Sequence, residues 1–231
     1  MTMKMIALSG LIVMGGALKA YADDRTYDVD GFDKIEVSSG VTLDVDVGSA
    51  FEVTADARRG DIDRLVVEVK GDTLHISREV GWGFLGSGKR DHFVVTVAMP
   101  ALSEVHSSSG ATATIEGATA VFEKGEATSG SSMRVSGDLG NLALAATSGS
   151  TLRAEGRCEA LEAEASSGAS LVADGLSCVT ADLQSTSGSS IRAFATDSAE
   201  LAASSGASLR LNGGADVTSR DVSSGGSVRV N

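Results

Sequence analysis

The chain has 231 residues, of which 42% are hydrophobic, 22% charged and only 4% aromatic, and its formal net charge is −12 at pH 7. This acidic balance excludes a global electrostatic attraction to nucleic acid, so we expect no nucleic-acid partner. Twenty-eight glycines against one proline suit a chain that turns often while keeping its backbone hydrogen-bond donors.

The first 22 residues have the three parts of a secretory signal peptide. Lys4 supplies the positive start, residues 6–18 form an apolar stretch, and Ala20, Tyr21 and Ala22 form a small-x-small cleavage site. The apolar stretch is short and interrupted by glycine, so we expect no membrane span to remain after cleavage. The chain is therefore predicted to be exported, to the periplasm or the cell exterior.

Residues 23–105 are predicted to form an N-terminal β-rich head. Alternating apolar residues predict a series of strands, a short helical turn near Ile62 and a hairpin about Gly71 and Asp72. The predicted strands are 32–37, 41–47, 51–55, 66–70, 73–77 and 92–98. No Pro- or Ser-rich linker follows, so we expect the head to cap the first coil of the repeats and to share one core with them.

A glycine-hinged loop of the head carries the aromatic residues Trp82 and Phe84. Exposed aromatic side chains on such a loop favour contact with a partner or ligand. The alternative is that both side chains fold back and cover the open end of the core.

Residues 106–231 repeat one phrase, Ser/Thr-Ser-Gly-x-Ser/Thr-aliphatic. Successive copies are 18–20 residues apart, and an earlier copy lies at Gly40. The glycines of the repeats are Gly110, Gly130, Gly149, Gly168, Gly188, Gly206 and Gly225. Self-similarity at this period indicates a solenoid, in which each repeat buries its apolar face by stacking on its neighbours.

The residues after each glycine alternate with period two, which predicts a strand. Counted from the glycine, positions +1, +3 and +5 are small or aliphatic, and positions +2 and +4 are polar. The +3 positions hold Leu43, Ala113, Met133, Leu152, Leu171, Ile191, Leu209 and Val228. Because every copy has the same residue type at the same phase, we predict an all-β fold, a right-handed parallel β-helix with coils of about 19 residues, rather than an antiparallel sandwich.

Several apolar motifs in the head carry a family resemblance. The frame Phe32-x-x-Ile35-x-Val37, with Leu74-x-Ile76 and Val95-x-Val97 further on, resembles the putative auto-transporter adhesin, head GIN domain family. The Ser-Ser-Gly copies resemble that family's C-terminal part, so the likeness covers residues 27–231. The resemblance implies a right-handed parallel β-helix in an exported bacterial protein, with an adhesin role.

The two cysteines, Cys158 and Cys178, each lie ten residues before a repeat glycine, so they share a phase in adjacent coils. Parallel stacking then places their Cα atoms about one strand spacing apart, within the range of a disulfide, and export permits oxidation. We predict a Cys158–Cys178 disulfide. The alternative is a pair of small buried thiols, because parallel stacking holds the Cβ atoms somewhat too far apart for an unstrained bond.

An outward row of arginines occupies position +4. Its members are Arg134, Arg153, Arg192, Arg210 and Arg229, interrupted only by Val172. Glu155 and Asp174, at +6, are expected to neutralise the middle of the row, whereas Arg192, Arg210 and Arg229 lack such a neighbour. These three predict a site for an anionic glycan or an envelope protein. The alternative is that they only keep the sheet soluble.

Catalysis is not expected. The histidines His75, His92 and His106 lie singly, and the serines recur with the coil rather than beside a base. Outward acids such as Glu162 and Asp182 are spread along one face, which is typical of solvated surface. We therefore predict no cofactor and no metal site, although polysaccharide-active enzymes also use parallel β-helices.

The last coil is expected to leave the backbone groups of its strands unpaired, which invites self-association through the C-terminal coil. The alternative is that strand twist and Arg229 keep this edge monomeric. Together these features predict an exported, non-catalytic β-helix module, an adhesin or an envelope- or matrix-binding protein. The alternatives are a polysaccharide-active enzyme and a purely structural periplasmic protein.

Overall fold

The computed structural model of the protein describes residues 23–79 and 91–231. The predicted signal peptide and the predicted partner loop with Trp82 and Phe84 lie outside these residues. The described part of the chain forms eighteen β-strands and one short 3-10 helix, Ile62–Arg64. The strands are β1 Asp23–Tyr27, β2 Lys34–Val37, β3 Thr42–Val47, β4 Glu52–Arg59, β5 Leu65–Lys70, β6 Thr73–Arg78, β7 His92–Met99, β8 Glu104–Ser107, β9 Thr112–Ala118, β10 Lys124–Ala127, β11 Ser132–Asp138, β12 Asn141–Ala146, β13 Thr151–Ala165, β14 Ser170–Ser185, β15 Ser190–Ala203, β16 Ser208–Asn212, β17 Asp216–Val222 and β18 Ser227–Val230.

These strands stack as a β-solenoid of about 7 coils, with parallel bridges roughly 19 residues apart, so the predicted fold is confirmed. Two ladders run along it, one on each side of the Ser-Gly turn. The first ladder, before the turn, contains β5, β6, β2, β8, β10 and β12, the C-terminal halves of β13, β14 and β15, and β17. The second ladder, after the turn, contains β1, β4, β7, β3, β9 and β11, the N-terminal halves of β13, β14 and β15, and then β16 and β18.

The +3 residues form one buried file inside the solenoid, as the repeat predicts. Leu171 is fully buried and pairs in register with Leu152 on one side and Ile191 on the other. The file continues into the head through Leu43, which pairs with Ala113 and Val95. At the other end Val228 is only partly buried, because no further coil covers it in the described residues.

Each repeat turns at two consecutive residues in the left-handed region. The serine before the repeat glycine has φ of 48–61° in all eight copies, and the glycine itself has φ of 71–78°. The backbone N–H of the residue after the glycine donates to the carbonyl of the residue two positions before the glycine, as Ala169 N does to Ser166 O at 3.1 Å. Two positive φ values with this bond define a type I′ turn. Gly168 N then donates to Ser187 O of the next coil at 3.1 Å, so the turns themselves form a hydrogen-bonded column.

A second glycine, seven residues after the first, permits the coils to approach closely at a corner. A Cβ atom added to Gly137 would lie 1.8 Å from the carbonyl oxygen of Ala118, and one added to Gly156 would lie 2.0 Å from that of Gly137. Gly156 has a positive φ, but Gly137 does not. The close approach of backbone to backbone is therefore the stronger reason for glycine at this corner.

The head is part of the solenoid, and its coils are stacked out of sequence order. The coil formed by β2 and β3 lies between β6–β7 and β8–β9, with parallel pairing on both sides. Beyond it, β4 pairs antiparallel with β7 and β1, and β5 forms the predicted antiparallel hairpin with β6. The buried apolar residues from Phe32 to Ala215 form one cluster, so head and repeats share a core. The antiparallel strands close the N-terminal end.

Candidate binding surface

Three arginines form a column on the second ladder of the last coils. Arg192 lies on β15, Arg210 on β16 and Arg229 on β18, and each pairs in register with the next. All three side chains are exposed, and neighbouring strands are about 4.8 Å apart. We call these residues the arginine column. Successive side chains of a strand point to opposite faces, so the +3 residues are buried and the three arginines at +4 lie on the outer face.

Within the described residues, no carboxylate lies within ion-pair distance of the arginine column. In the preceding coils, Arg134 Nη1 lies 3.4 Å from Glu155 Oε1 and Arg157 Nη2 lies 2.7 Å from Asp138 Oδ2. Arg153 has no ion pair among the described residues, but its neighbour in the next coil is the uncharged Val172, so it is not stacked on a further arginine there. Glu155 reaches the arginine of the coil before its own, not the one on its own strand. The fixed charges of the column are therefore uncompensated locally, although the protein as a whole is acidic.

Asp174 does not neutralise an arginine, contrary to expectation. The pairing register shifts between β13 and β14 near this residue, so that Glu155 pairs with Gly175. It shifts again between β14 and β15, where Phe194 pairs with Ser177. Asp174 is exposed in this irregular segment and has no ion pair among the described residues. This repeat has 20 residues instead of about 19, and the extra residue accompanies the register shift. Counting positions along one phase does not detect that shift.

Polar and aromatic residues flank the arginine column on the same face. The row at +2 contains Ser190, Ser208 and Ser227, and the row at +6 contains Phe194, Asn212 and Asn231. Asn231 Nδ2 donates to Asn212 Oδ1 at 2.9 Å. The face of the last three coils is thus a grid of hydroxyl, guanidinium, amide and aromatic groups.

The first ladder of the same coils carries the opposite charge. Glu162, Asp182 and Glu200 pair in register on β13, β14 and β15, and all three are exposed. An open depression lies along this acidic row, lined also by Thr180, Ser198 and Thr218. Acidic and basic charges are therefore separated onto the two ladders of the C-terminal coils.

A column in which acids and histidines alternate runs from the head into the first repeats. Glu68, His75, Glu36, His106 and Glu126 lie on β5, β6, β2, β8 and β10, each in register with the next. His75 Nδ1 lies 2.9 Å from Glu36 Oε2, and His106 Nδ1 lies 3.5 Å from Glu126 Oε2. The sequence does not reveal this column, because β6, β2 and β8 are neighbours only through the out-of-order stacking of coils.

The histidine column does not have the arrangement of a nucleophilic site. Ser107 points into the core, away from the neighbouring His106. In the described part of the chain, no hydrogen bond joins His106 to a serine hydroxyl, whereas a nucleophilic serine needs such a bond to its base. The described residues also contain no group of three or more His, Cys, Asp or Glu side chains that could hold a metal ion. These contacts are those of partly exposed imidazole and carboxylate side chains on the surface.

Cys158 and Cys178 lie opposite each other in adjacent coils of the first ladder. Their Cα atoms are 4.5 Å apart, both side chains are buried, and the structure joins their sulfur atoms. The bond would tie β13 to β14 in the middle of the repeats. The disulfide of the isolated protein remains a prediction.

Ion pairs shift the pKa of two exposed carboxyl groups. The hydrogen bond from the Arg157 guanidinium lowers the pKa of Asp138, and that from the Lys34 ammonium lowers the pKa of Asp72. At the N-terminal end, burial raises the pKa of Tyr27, whose hydroxyl is buried without a hydrogen-bond partner among the described residues.

The outer edge of the last coil has two features that hinder strand pairing. Strands β17 and β18 have a partner on one side only within the described residues. Arg220 pairs with the buried Leu201, so it occupies an inward position, and its Nη2 donates to Val228 O at 3.0 Å across the coil. A register shift at Thr218 adds a bulge to β17. Inward charges and bulges are common protections of exposed sheet edges.

No helix in the described residues is long and apolar enough to cross a membrane.

Solved structures with this fold come from bacterial proteins. A putative adhesin from Bacteroides fragilis NCTC 9343 has a TM-score of 0.78 at 15% sequence identity, over 92% of this chain and 98% of that chain. A putative lipid binding protein from Parabacteroides distasonis ATCC 8503 has a TM-score of 0.72 at 16% identity, over 92% and 97% of the two chains. At these identities the similarity establishes the fold alone.

The family comparison covers the head and the repeats together. No curated protein is significantly similar to the chain in sequence. The model of the family described as "putative auto-transporter adhesin, head GIN domain" matches residues 31–231. The match spans the shared core, from the out-of-order head coils to the last coil, and the chain therefore belongs to this family.

Proposed function

We propose that the protein is an exported, non-catalytic adhesion module that binds a repeating anionic ligand of the cell envelope or matrix through the arginine column. The observation that carries this proposal is the in-register stacking of Arg192, Arg210 and Arg229 without a carboxylate partner in the described residues. The adhesin description of the family supports the general role.

Stacked like charges repel each other unless an anion lies nearby. Arg134 has such an anion in Glu155, whereas the arginine column has none among the residues that the structure describes. Guanidinium groups bind carboxylate, sulfate and phosphate with paired hydrogen bonds, and three groups at strand spacing suit a ligand that repeats its charge. Exposed charge–charge contacts are screened by salt, so the interaction should weaken as ionic strength rises.

The test is an array of anionic glycans and anionic proteins probed with the wild type at two salt concentrations. The variant Arg192→Ala, Arg210→Ala, Arg229→Ala should lose binding. A matched control, Arg134→Ala, Arg153→Ala, Arg157→Ala, removes the same charge from exposed positions of the preceding coils and should retain it. Equal signal from both triple variants and the wild type would show that the arginines only keep the sheet soluble.

A further inference from the structure

Phe194 is an aromatic side chain on the outer face that the core does not explain. It alternates with the buried Ala193 and Ala195 on β15, which places it outward, and it is partly exposed. Phe32, Phe93 and Phe122 are almost fully buried, and Phe51 is partly buried against the core. Phe194 is also not among the partly buried apolar side chains that pack against the core. An aromatic face is thus left available to a ligand.

The position of Phe194 relative to the arginine column suggests what the ligand is. Phe194 lies two residues after Arg192 on the same strand, a distance of about 6.6 Å along the chain. It pairs in register with Asn212 of β16, and Arg192 pairs with Arg210. One patch therefore presents an aromatic face, two guanidinium groups and an amide within the dimensions of one or two sugar rings.

Each of these groups fits a different part of an acidic sugar. The apolar C–H face of a pyranose ring packs on an aromatic ring, and its carboxylate or sulfate pairs with a guanidinium. The amide of Asn212 accepts from Asn231, and its own N–H groups have no partner among the described residues, so they can donate to ring hydroxyls. A bare polyphosphate offers an anion but no apolar face.

We propose that the ligand of the arginine column is an acidic polysaccharide, with a sugar ring packed on Phe194 and its anionic groups on Arg192 and Arg210. This inference rests on the proposed function and names the class of its ligand. The phenylalanine supplies recognition of the ring, whereas the arginines supply recognition of charge. Removing the phenylalanine should therefore affect ligands with sugar rings only.

The experiment measures binding of three polymers by the full chain at low salt. The probes are polygalacturonate, which has one carboxylate on each ring, dextran, which has rings without charge, and inorganic polyphosphate, which has charge without rings. We expect the wild type to prefer polygalacturonate and Phe194→Ala to weaken that binding about tenfold, as the loss of one aromatic contact does. Any binding of polyphosphate to the arginines should be unchanged in Phe194→Ala.

Control variants separate this inference from the proposed function. Val179→Ala, another exposed apolar residue of the repeats, should leave all affinities unchanged, and circular dichroism should show that each variant is folded. Equal effects of Phe194→Ala on both anionic polymers, or no effect on either, would overturn the polysaccharide inference alone. If the arginine triple variant binds polygalacturonate as tightly as the wild type, the proposed function fails as well.

Discussion

The head and the C-terminal coils both stack parallel strands in register but distribute charge in opposite ways. In the head, columns alternate in sign, as in Lys34 between Asp72 and Glu104, at 3.2 and 3.4 Å. In the C-terminal coils, like charges stack, with the arginine column on one ladder and the acidic row on the other. In a solenoid, side chains of opposite charge in neighbouring coils can therefore neutralise each other, or side chains of like charge can stack and remain available to a ligand. The free charge is at the C-terminal end.

Both regions depend on the buried file of +3 residues. The largest expected effect on stability comes from placing a charged side chain in that file. Leu171→Asp places a carboxylate without a partner among fully buried neighbours, which costs several kcal/mol and should unfold the repeats. Its neighbour Val172 points outward, so Val172→Asp should unfold at nearly the wild-type temperature. Thermal unfolding followed by circular dichroism measures both. Similar melting of the two variants would contradict the assignment of inward and outward positions.

The predicted disulfide would stabilise the repeats by joining two adjacent coils. Its two cysteines are 20 residues apart, so on the chain-entropy model the bond contributes about 3 kcal/mol. Cys158→Ser, Cys178→Ser should lower the free energy of unfolding by about that amount, measured with urea. Thiol counting on the unreduced, unfolded wild type should find no free thiol. Two free thiols would exclude the bond.

Self-association through the C-terminal coil is predicted to depend on Arg220. The unpaired edges of β17 and β18 favour association, but this inward guanidinium opposes the stacking of a second coil. We expect Arg220→Leu to shift light-scattering mass from monomer toward dimer at high concentration. Arg25→Leu, at the opposite end, is the matched control and should have no such effect. A wild type that is already dimeric, with no change in the variant, would contradict this role for Arg220.

The smallest effect is expected from breaking the alternation in the head. Glu36→Lys would place a cation in register with His75 and His106, and would remove the contact of the Glu36 carboxylate with His75. Exposed cross-strand pairs contribute about 0.2–1 kcal/mol, so unfolding should become easier by no more than that. Glu52→Lys changes the same charge at an exposed position outside this column and is the control. Equal destabilisation by both would show that net charge, not alternation, matters.

The phase of the repeat was enough to predict the inner and outer faces of the coils. Leu171, Cys158 and Arg210 each lie where counting from the glycine places them, because parallel in-register stacking repeats the same environment in every coil. The order of the head coils could not be predicted, since only the coil of β2 and β3 has the Ser-Gly turn and the head strands pair through long-range contacts. Two local irregularities could not be predicted either. They are the register shift near Asp174 and the inward position of Arg220.

The central claim is that arginines stacked in register become a binding surface where the described residues offer them no carboxylate partner. Restoring such partners tests it directly, because Glu155 already pairs with the arginine of the preceding coil. In the same geometry, Asn212→Glu would pair with Arg192, and Asn231→Glu with Arg210. The measurement is the affinity of this double variant for polygalacturonate at low salt. We predict loss of binding with unchanged circular dichroism, as in the arginine triple variant. Wild-type affinity in the double variant would contradict the claim.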